Sequence, residues 1–204
     1  MPKLLLIRHG VTASNSARQF AGHTDVELSV EGRAQVEKLS HRLTNEKIDA
    51  IYSSDLKRAV TTAEIVASGH QLNIITCPEL KEINYGRIEG LSIAEIGPLF
   101  PDVAKLIANF TPDLEFPGGE TFMTFFERVG KFLDRLKQHT PEQTVAITAH
   151  SGPLRALICS LLGLGPEHWG RMRLDNASLS IIETQPNRAV LTLLNDTSHL
   201  RAKC

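Results

Sequence analysis

The sequence predicts an α/β fold: a three-layer α/β/α sandwich with a mostly parallel central sheet and a terminal hairpin. Apolar, β-branched runs alternate with segments of helical periodicity, which is the order expected when helices flank a parallel sheet. The first run, residues 4–7, consists of four large aliphatic residues without alternation, as in a strand that is covered on both faces. Near the end of the chain, two apolar segments are separated by a short turn-forming stretch, which is typical of a hairpin.

The first half of the chain repeats a strand–helix unit. After the strand that ends at Arg8, Ser29 is typical of a helix N-cap, and an apolar stripe continues the helix to about residue 44. The next unit has the same order, with Ser54 and Asp55 as the predicted cap of its helix. The remaining elements predicted here are a strand at 48–53, a helix at 56–67 and a strand at 72–77.

The middle of the chain is less regular. Residues 78–90 are rich in carboxylates and glycine, and we expect them to form a loop. Between residues 91 and 119, prolines and phenylalanines surround a short helical piece near 103–108. This pattern is typical of an excursion that covers a pocket. We therefore expect a single domain over residues 1–204, with 91–119 as an irregular excursion.

The second half returns to regular elements. A helix that begins after Thr121 carries phenylalanines on one broad face, which predicts packing into the core. A strand is predicted at 144–148, and the helix that follows at 154–162 has a proline near its first position. The terminal hairpin is predicted from strands at 179–184 and 189–194, with residues 185–188 between them.

Composition and charge exclude several classes of protein. The 204 residues are 42% hydrophobic and 22% charged, with a net charge of -1 and no block of like charges, which argues against nucleic-acid or anionic-membrane binding. No apolar run has the length of a membrane span or of a signal peptide. The three cysteines, Cys77, Cys159 and Cys204, form no C-x-x-C pair, and their odd number argues against a disulfide framework. We expect a cytoplasmic protein.

Cationic and potentially cationic side chains are predicted to meet at one edge of the sheet. Arg8 and His9 follow the first strand, His150 follows a later one, and the carboxyl ends of parallel strands share an edge. Arg58 lies in the first turn of a helix, where the macrodipole disfavours a cation unless an anion is bound. Two like charges about 4 Å apart repel by about 4 kcal/mol at an effective dielectric near 20, so the cluster indicates an anionic ligand. A phosphate fits, because arginine offers paired donors and the backbone N–H of Ser151 adds one at a helix N-terminus.

Several short motifs occur in a fixed order between the N-terminus and residue 155. They are Arg8-His9-Gly10 with Thr12 and Asn15; Thr24 to Ser29 with Gly32 and Gln35; Ser53 to Ala59 with Thr62 and Ala63; Leu80 to Glu82 with Gly86, Glu89 and Gly90; Gly119 to Thr121; and Ala149 to Gly152. This ordered set resembles the histidine phosphatase superfamily, also called the phosphoglycerate-mutase-like family, and the match covers most of the chain. One R-H-G triplet alone would be weak evidence, whereas the ordered set is specific.

The resemblance implies roles for the matching site residues. His9 would be the nucleophile and form a phosphohistidine, and Glu82 would protonate the leaving oxygen before taking a proton from the attacking water. The motif favours Glu82 over Glu89 and Glu120 as this acid. No metal or cofactor is implied, and the excursion at 91–119 would cover the active site. The phosphoryl oxygens would be held by Arg8, Arg58 and His150, with Asn15 assisting.

Other phosphate chemistries fit the sequence less well. Metallophosphatase motifs such as D-x-H do not occur, and although His9 and His150 could in principle bind a metal, the adjacent Arg8 opposes a divalent cation. A cysteine phosphatase needs an arginine six positions after its nucleophile, where this chain has Ile83 and Gly165. The chain also has no G-x-x-x-x-G-K-[ST] loop for nucleotide hydrolysis.

Within the family, the sequence favours a phosphatase over a phosphoglycerate mutase. Mutases have a longer cover and a Glu-Arg-His-Tyr-Gly stretch where this chain has residues 82–86, and a shorter cover admits water. The compact length and residues 194–200 are similar to the bacterial α-ribazole-5′-phosphate phosphatases of cobalamin assembly. Phosphoserine phosphatases, broad-specificity sugar-phosphate phosphatases, phosphoglycerate mutases and a non-catalytic phosphate-binding module remain alternatives. The expected partner is a small-molecule phosphomonoester, and Trp169 or the terminal hairpin could lie at a homodimer interface.

Overall fold

The computed structural model describes residues 1–109, 114–185 and 188–201. Cys204 and the central two residues of the predicted hairpin turn therefore lie outside the described residues. Six strands form one sheet, and its spatial order is β3-β2-β4-β1-β5-β6. The strands are β1 (Lys3–Arg8), β2 (Ala50–Ser53), β3 (Ile74–Thr76), β4 (Thr144–Ala149), β5 (Leu179–Gln185) and β6 (Arg188–Asp196).

The sheet is mostly parallel, as predicted. β1 pairs in parallel with β4, β4 with β2, and β2 with β3. β5 runs antiparallel to β1 and pairs antiparallel with β6, so the last two strands form the predicted hairpin. Because four strands point the same way, their carboxyl ends share one edge, at which ligands of open α/β sheets bind.

Seven α-helices are described together with four short 3₁₀ segments. No described helix combines the length and the apolar character needed to cross a lipid bilayer. The helices are α1 (Ala13–Ser16), α2 (Val30–Leu43), α3 (Lys57–Ser68), α4 (Ile93–Leu99), α5 (Pro101–Asn109), α6 (Phe122–Leu136) and α7 (Ser151–Leu162). The 3₁₀ segments are Pro78–Leu80, Gly86–Ile88, Pro166–Arg171 and Ser198–Leu200.

Helices cover both faces of the sheet, which confirms the three-layer prediction. Successive side chains of β1 point to opposite faces. Leu4 and Leu6 belong to an apolar cluster that includes the buried side chains of α6 and α7. Leu5 and Ile7 belong to a second cluster, built with α2 and α3. The phenylalanine stripe of α6 lies in the first cluster, so its predicted place in the core is confirmed.

The cap of α3 differs from the prediction. Leu56, not the Ser54–Asp55 pair, is the N-cap residue, and its side chain cannot cap the helix. Instead, Asp25 Oδ1 accepts a hydrogen bond from the backbone N–H of Lys57 at 2.8 Å. A carboxylate from a distant loop thus supplies the negative charge that this helix N-terminus favours.

The excursion at 91–119 is more helical than predicted. The expected piece near 103–108 lies inside α5, but α4 was not predicted. Ser92 and Glu95 form a capping box that starts α4, and Pro101 is the first residue of α5, where a proline is tolerated. Four residues of the excursion, 110–113, lie outside the described part of the chain.

Candidate active site

The two predicted site histidines lie side by side at the carboxyl edge of the sheet. β1 and β4 are in register with Arg8 opposite Ala149, so the next residue of each strand is a histidine. The ring centroids of His9 and His150 are 5.1 Å apart, at an interplanar angle of 60°. Both residues are buried, with 3% and 0% exposure. The parallel register therefore explains how residues 141 positions apart come to share one site.

The ring of His9 is held in one tautomer. Its Nδ1 lies 2.7 Å from the carbonyl oxygen of Gly10, and because a carbonyl can only accept, Nδ1 carries the proton. The lone pair is then on Nε2. Burial, followed by the charges of Arg8 and Arg58, lowers the pKa of His9 well below 6.5. At neutral pH the ring is therefore a neutral imidazole with an available Nε2, which is the form that can act as a nucleophile.

His150 supports the site from its interior side. Its Nδ1 accepts a hydrogen bond from Arg58 Nε at 3.1 Å, so the proton is on Nε2, which lies 2.9 Å from Ser54 Oγ. Both ring nitrogens thus have protein partners, and the side chain is fully buried. In this arrangement His150 orients Arg58, whereas its predicted contact with phosphoryl oxygens stays a prediction.

Arg58 is a buried cation with part of its donor capacity unused. Its side chain is 2% exposed, and besides the bond to His150 it donates to the carbonyl oxygens of Gly22 at 2.7 Å and Thr24 at 2.8 Å. Burial lowers the pKa of Arg58, and the nearby Glu82 carboxylate raises it. A guanidinium has five N–H groups, so two remain for a ligand after these three bonds.

Arg8 and Asn15 bring further donors to the same place. Arg8 Nη1 donates to the carbonyl of Leu174 at 2.6 Å, while its Nε is buried without a partner among the described residues. Asn15 Oδ1 accepts from the Thr12 backbone N–H at 3.1 Å and from Asn176 Nδ2 at 3.0 Å. These bonds fix the amide and leave the Asn15 NH₂ group for a ligand.

Glu82 faces the same cleft. Its Oε1 accepts from the backbone N–H of Ile83 at 3.0 Å, and its Oε2 accepts from the backbone N–H of Gly152 at 3.2 Å. Gly152 is the second residue of α7, so the N-terminus of this helix holds the carboxylate. An acid or base is therefore present in the same cleft as the histidine nitrogen that carries the lone pair.

The other two candidate glutamates are occupied elsewhere. Glu89 accepts from the backbone N–H groups of His23 at 2.8 Å and Thr24 at 2.7 Å, and so fixes the loop whose carbonyls hold Arg58. Glu120 forms a two-point ion pair with Arg128, with distances of 2.7 and 2.8 Å. Only Glu82 of the three lines the cleft.

Two residues that sequence reasoning missed hold this arrangement together. Arg128 donates to the carbonyl oxygens of three residues of the 79–82 loop, at 2.9 to 3.0 Å, and thereby fixes the backbone of Glu82. Asn176 donates to the carbonyl of His9 at 3.2 Å as well as to Asn15. Neither residue belongs to a motif, and only its position in the folded chain reveals the role.

The cleft has a volume of about 230 Å³ and combines cationic, polar and aromatic walls. Of the predicted site residues, all except the fully buried His150 line the cleft, together with one further arginine and a glutamine. A larger groove of about 780 Å³ lies between α2 and the 3₁₀ segment Ser198–Leu200, but it contains none of the predicted site residues. The cleft is lined by Arg8, His9, Asn15, Arg18, Gln19, Phe20, Ala21, Gly22, Arg58, Glu82, Tyr85 and Ser151.

Metal ligands do not cluster in the described part of the chain. No group of three or more histidine, cysteine, aspartate or glutamate side chains is arranged to hold a metal ion there. The histidine pair is instead flanked by two guanidinium groups, and this set of groups suits an anion.

The buried histidines make the stability depend on pH. In the folded chain the pKa values of His9 and His150 lie well below 6.5, the ordinary value at which they titrate when unfolded. Between these values the unfolded chain binds more protons, so we expect the free energy of unfolding to fall as pH drops below 6.5, by about 1.4 kcal/mol per pH unit for each histidine. Urea unfolding at about pH 7.5, 6.5 and 5.5, without phosphate, measures this slope.

The variant His150→Asn provides the control for the pH dependence. This variant should reduce the slope of the unfolding free energy against pH by the contribution of one histidine, because asparagine does not titrate. An unchanged slope in this variant would contradict the assignment of a depressed pKa to His150.

Comparison with known proteins identifies the family. The profile of the histidine phosphatase superfamily (branch 1) matches residues 4–197. Phosphoserine phosphatase 1 of Hydrogenobacter thermophilus is 34% identical over 200 residues, which are 98% of this chain and 95% of that protein. Phosphoglycerate mutase-like protein 4 of Arabidopsis thaliana is 34% identical over 158 residues, covering 76% of this chain and 69% of that protein.

A solved structure agrees with these sequence matches. The crystal structure of the α-ribazole phosphatase from Shigella flexneri superposes with a TM-score of 0.88 at 31% identity, covering 96% of this chain and 96% of that chain. The prediction of the family from its ordered motifs is thereby confirmed. The chain belongs to the histidine phosphatase superfamily, branch 1, and is a phosphatase that acts on a small-molecule phosphate substrate.

Proposed function

We propose that the chain hydrolyses phosphomonoesters through a phosphohistidine on His9. The observation that carries this proposal is the fixed ring of His9. Its Nδ1 is bound to the Gly10 carbonyl, and its neutral Nε2 belongs to a cleft that also contains two guanidinium groups and a carboxylate. A nucleophile, an anion-binding group and an acid are the parts that phosphoryl transfer requires.

In the first step, the Nε2 lone pair of His9 attacks phosphorus opposite the ester oxygen. The P–N bond forms as the P–O ester bond breaks, and protonated Glu82 gives its proton to the departing oxygen. Arg8 and Arg58 stabilise the charge on the three equatorial oxygens. The further donors in our scheme are the Asn15 amide, the backbone N–H of Ser151 and, once its Nε2–H leaves Ser54 Oγ, His150.

In the second step, water attacks the phosphohistidine. The Glu82 carboxylate, which lost its proton in the first step, now takes one from this water. The new P–O bond forms as the P–N bond breaks, and the electron pair of that bond returns to His9 Nε2. Inorganic phosphate leaves, and the enzyme regains its starting protonation without a metal or a cofactor.

For the substrate we propose α-ribazole 5′-phosphate, which places the enzyme in cobalamin assembly. The similarity to the Shigella flexneri α-ribazole phosphatase over nearly the whole of both chains supports this choice. The cleft also has an aromatic wall, where the rings of Phe20 and Tyr85 meet edge to face with centroids 4.9 Å apart. Such a wall suits a leaving group that carries an aromatic base.

Phosphoserine is the second candidate substrate. The relative from Hydrogenobacter thermophilus, a phosphoserine phosphatase, is 34% identical over 98% of this chain. Arg18 on the cleft wall offers a cation to the carboxylate of an amino acid. This side chain is exposed, so its contribution to substrate binding would be screened by salt.

Phosphate release from a substrate panel, measured with a chelator present, tests the proposal. The panel contains α-ribazole 5′-phosphate, phosphoserine, 3-phosphoglycerate and p-nitrophenyl phosphate. We expect kcat/KM for α-ribazole 5′-phosphate to exceed that for phosphoserine by at least about tenfold. A preference for phosphoserine would assign the second substrate, and comparable slow turnover of all four would indicate a general phosphatase. No release from any of them would favour the non-catalytic binding module or a metal-dependent reaction.

A further inference from the structure

We propose that Trp169 is a positioning residue for the general acid, acting on Glu82 through Gly152. The inference rests on the proposed function, because it assumes that Glu82 donates a proton to the leaving oxygen. It concerns the 3₁₀ segment Pro166–Arg171, which belongs to none of the family motifs and lies 84 or more positions after Glu82 in the sequence.

Gly152 fixes the position of the Glu82 carboxylate in two ways. Its backbone N–H donates to Glu82 Oε2 at 3.2 Å. In addition, a Cβ built on Gly152 would lie only 2.0 Å from Glu82 Oε1, so the carboxylate packs directly against the glycine backbone. Any movement of this first turn of α7 would therefore move or release the acid.

Trp169 holds the same glycine from its other side. The indole Nε1–H donates to the carbonyl oxygen of Gly152 at 2.8 Å. A carbonyl oxygen has two lone pairs, so it can accept this bond in addition to its bond within the helix. The two polar groups of Gly152 thus connect the indole and the carboxylate through a single residue.

The indole ring is itself held firmly. The guanidinium of Arg155, one turn further along α7, lies 4.8 Å from the ring centroid of Trp169 in a cation–π contact. The ring of Phe122 meets the indole edge to face, with centroids 5.4 Å apart. Trp169 does not line the phosphate cleft, so its effect on the reaction has to pass through the residues it holds.

The test uses leaving groups that differ in their need for an acid. p-Nitrophenyl phosphate and p-methylphenyl phosphate are similar in size, but the nitrophenolate departs without a proton far more readily. In the variant Trp169→Phe, which keeps a ring and removes the N–H, we expect kcat/KM to fall about fivefold for p-methylphenyl phosphate and less than about twofold for p-nitrophenyl phosphate. kcat/KM is the suitable quantity because it reports on the first phosphoryl transfer.

Phe126→Leu is the matched control, because Phe126 packs on Phe122 at 4.9 Å in the same aromatic cluster. We expect this variant to lose stability, while its kcat/KM values show no dependence on the leaving group.

A second variant uses the fact that Trp169 is the only tryptophan of the chain. Incorporating benzothienylalanine in place of this tryptophan keeps the ring volume and removes the N–H. The effect of losing the N–H on the two aryl phosphates can therefore still be measured if Trp169→Phe does not fold.

The variant Glu82→Gln distinguishes a failure of the positioning role of Trp169 from a failure of the proposed function. If it shows a steep dependence on the leaving group while both Trp169 variants show none, the positioning role is overturned and the proposed function stands. If Glu82→Gln shows no such dependence, the acid assignment in the proposed function fails and the positioning role fails with it. An equal loss for both substrates in the Trp169 variants would also overturn the inference, since it would indicate a structural role only.

Discussion

Replacing His9 by asparagine is expected to lower kcat/KM for phosphate release by roughly four orders of magnitude or more. Asparagine can still donate to the Gly10 carbonyl, which His9 Nδ1 approaches at 2.7 Å, but it offers no nucleophilic nitrogen to phosphorus. The cationic groups and Glu82 stay in place, so the variant should still bind phosphate or a phosphate analogue. Steady-state phosphate release and binding by calorimetry measure the two effects separately.

The covalent intermediate gives an independent measurement. Phosphohistidine is labile in acid, so the reaction is stopped in alkali and the intact protein is analysed by mass spectrometry. We expect a phosphorylated species in the wild-type enzyme and none in His9→Asn. His41→Asn is the matched control, because His41 is an exposed residue of α2 and should leave both readouts unchanged. Full hydrolysis by His9→Asn would disprove the mechanism.

The framework of this site could be predicted because it depends on local patterns. The unbroken aliphatic run of β1 and the β-branched run of β4 identify buried parallel strands, and the residues that follow such strands lie at the ligand-binding edge. These two runs predict that His9 and His150 lie at the same edge of the sheet, and the structure adds that β1 and β4 are neighbouring strands. The terminal hairpin was predictable for the same reason, since two apolar runs separated by a turn pair locally.

The supporting contacts could not be predicted because they join distant parts of the chain. Asp25 caps α3 from another loop, although Ser54 and Asp55 have the residue types of a local cap. Arg128 fixes the loop of Glu82 from the middle of α6, where an arginine resembles an ordinary solvent-exposed helix residue. Hydrogen bonds of this kind depend on tertiary packing, which overrides local preference.

The choice among the three glutamates shows the same limit. Glu82, Glu89 and Glu120 all lie in loop segments that contain glycine, and composition alone does not distinguish them. Their positions separate them: Glu82 lines the cleft, whereas Glu89 is bound to the backbone of the 23–24 loop and Glu120 to Arg128, both outside it. The order of the family motifs favours Glu82, and the geometry of the cleft adds a physical reason for this choice.

The contact between Glu82 and Gly152 predicts a large loss of activity in the variant Gly152→Ala. In the variant Gly152→Ala the new methyl carbon would lie 2.0 Å from Glu82 Oε1, and this clash is relieved most easily by rotation of the flexible Glu82 side chain. We expect kcat/KM for p-methylphenyl phosphate to fall by about 100-fold, because the displaced carboxyl no longer reaches the leaving oxygen. The free energy of unfolding should change by less than about 1 kcal/mol, since the end of the Glu82 side chain moves and Phe125 Cζ, 3.3 Å from the new carbon, has to shift only slightly.

Gly130→Ala separates this displacement from a general effect of adding a methyl group to a helix. Gly130 lies in α6, and a Cβ built there has no heavy atom within 4 Å. We expect unchanged kinetics and a gain in stability of up to about 1 kcal/mol, because alanine favours a helix over glycine. Urea unfolding and the two aryl phosphates, applied to both variants, test the argument. If Gly152→Ala keeps its activity, the carboxylate of Glu82 is not held against α7 during catalysis. If Gly152→Ala unfolds, the clash is relieved by the backbone of α7 and not by rotation of the Glu82 side chain.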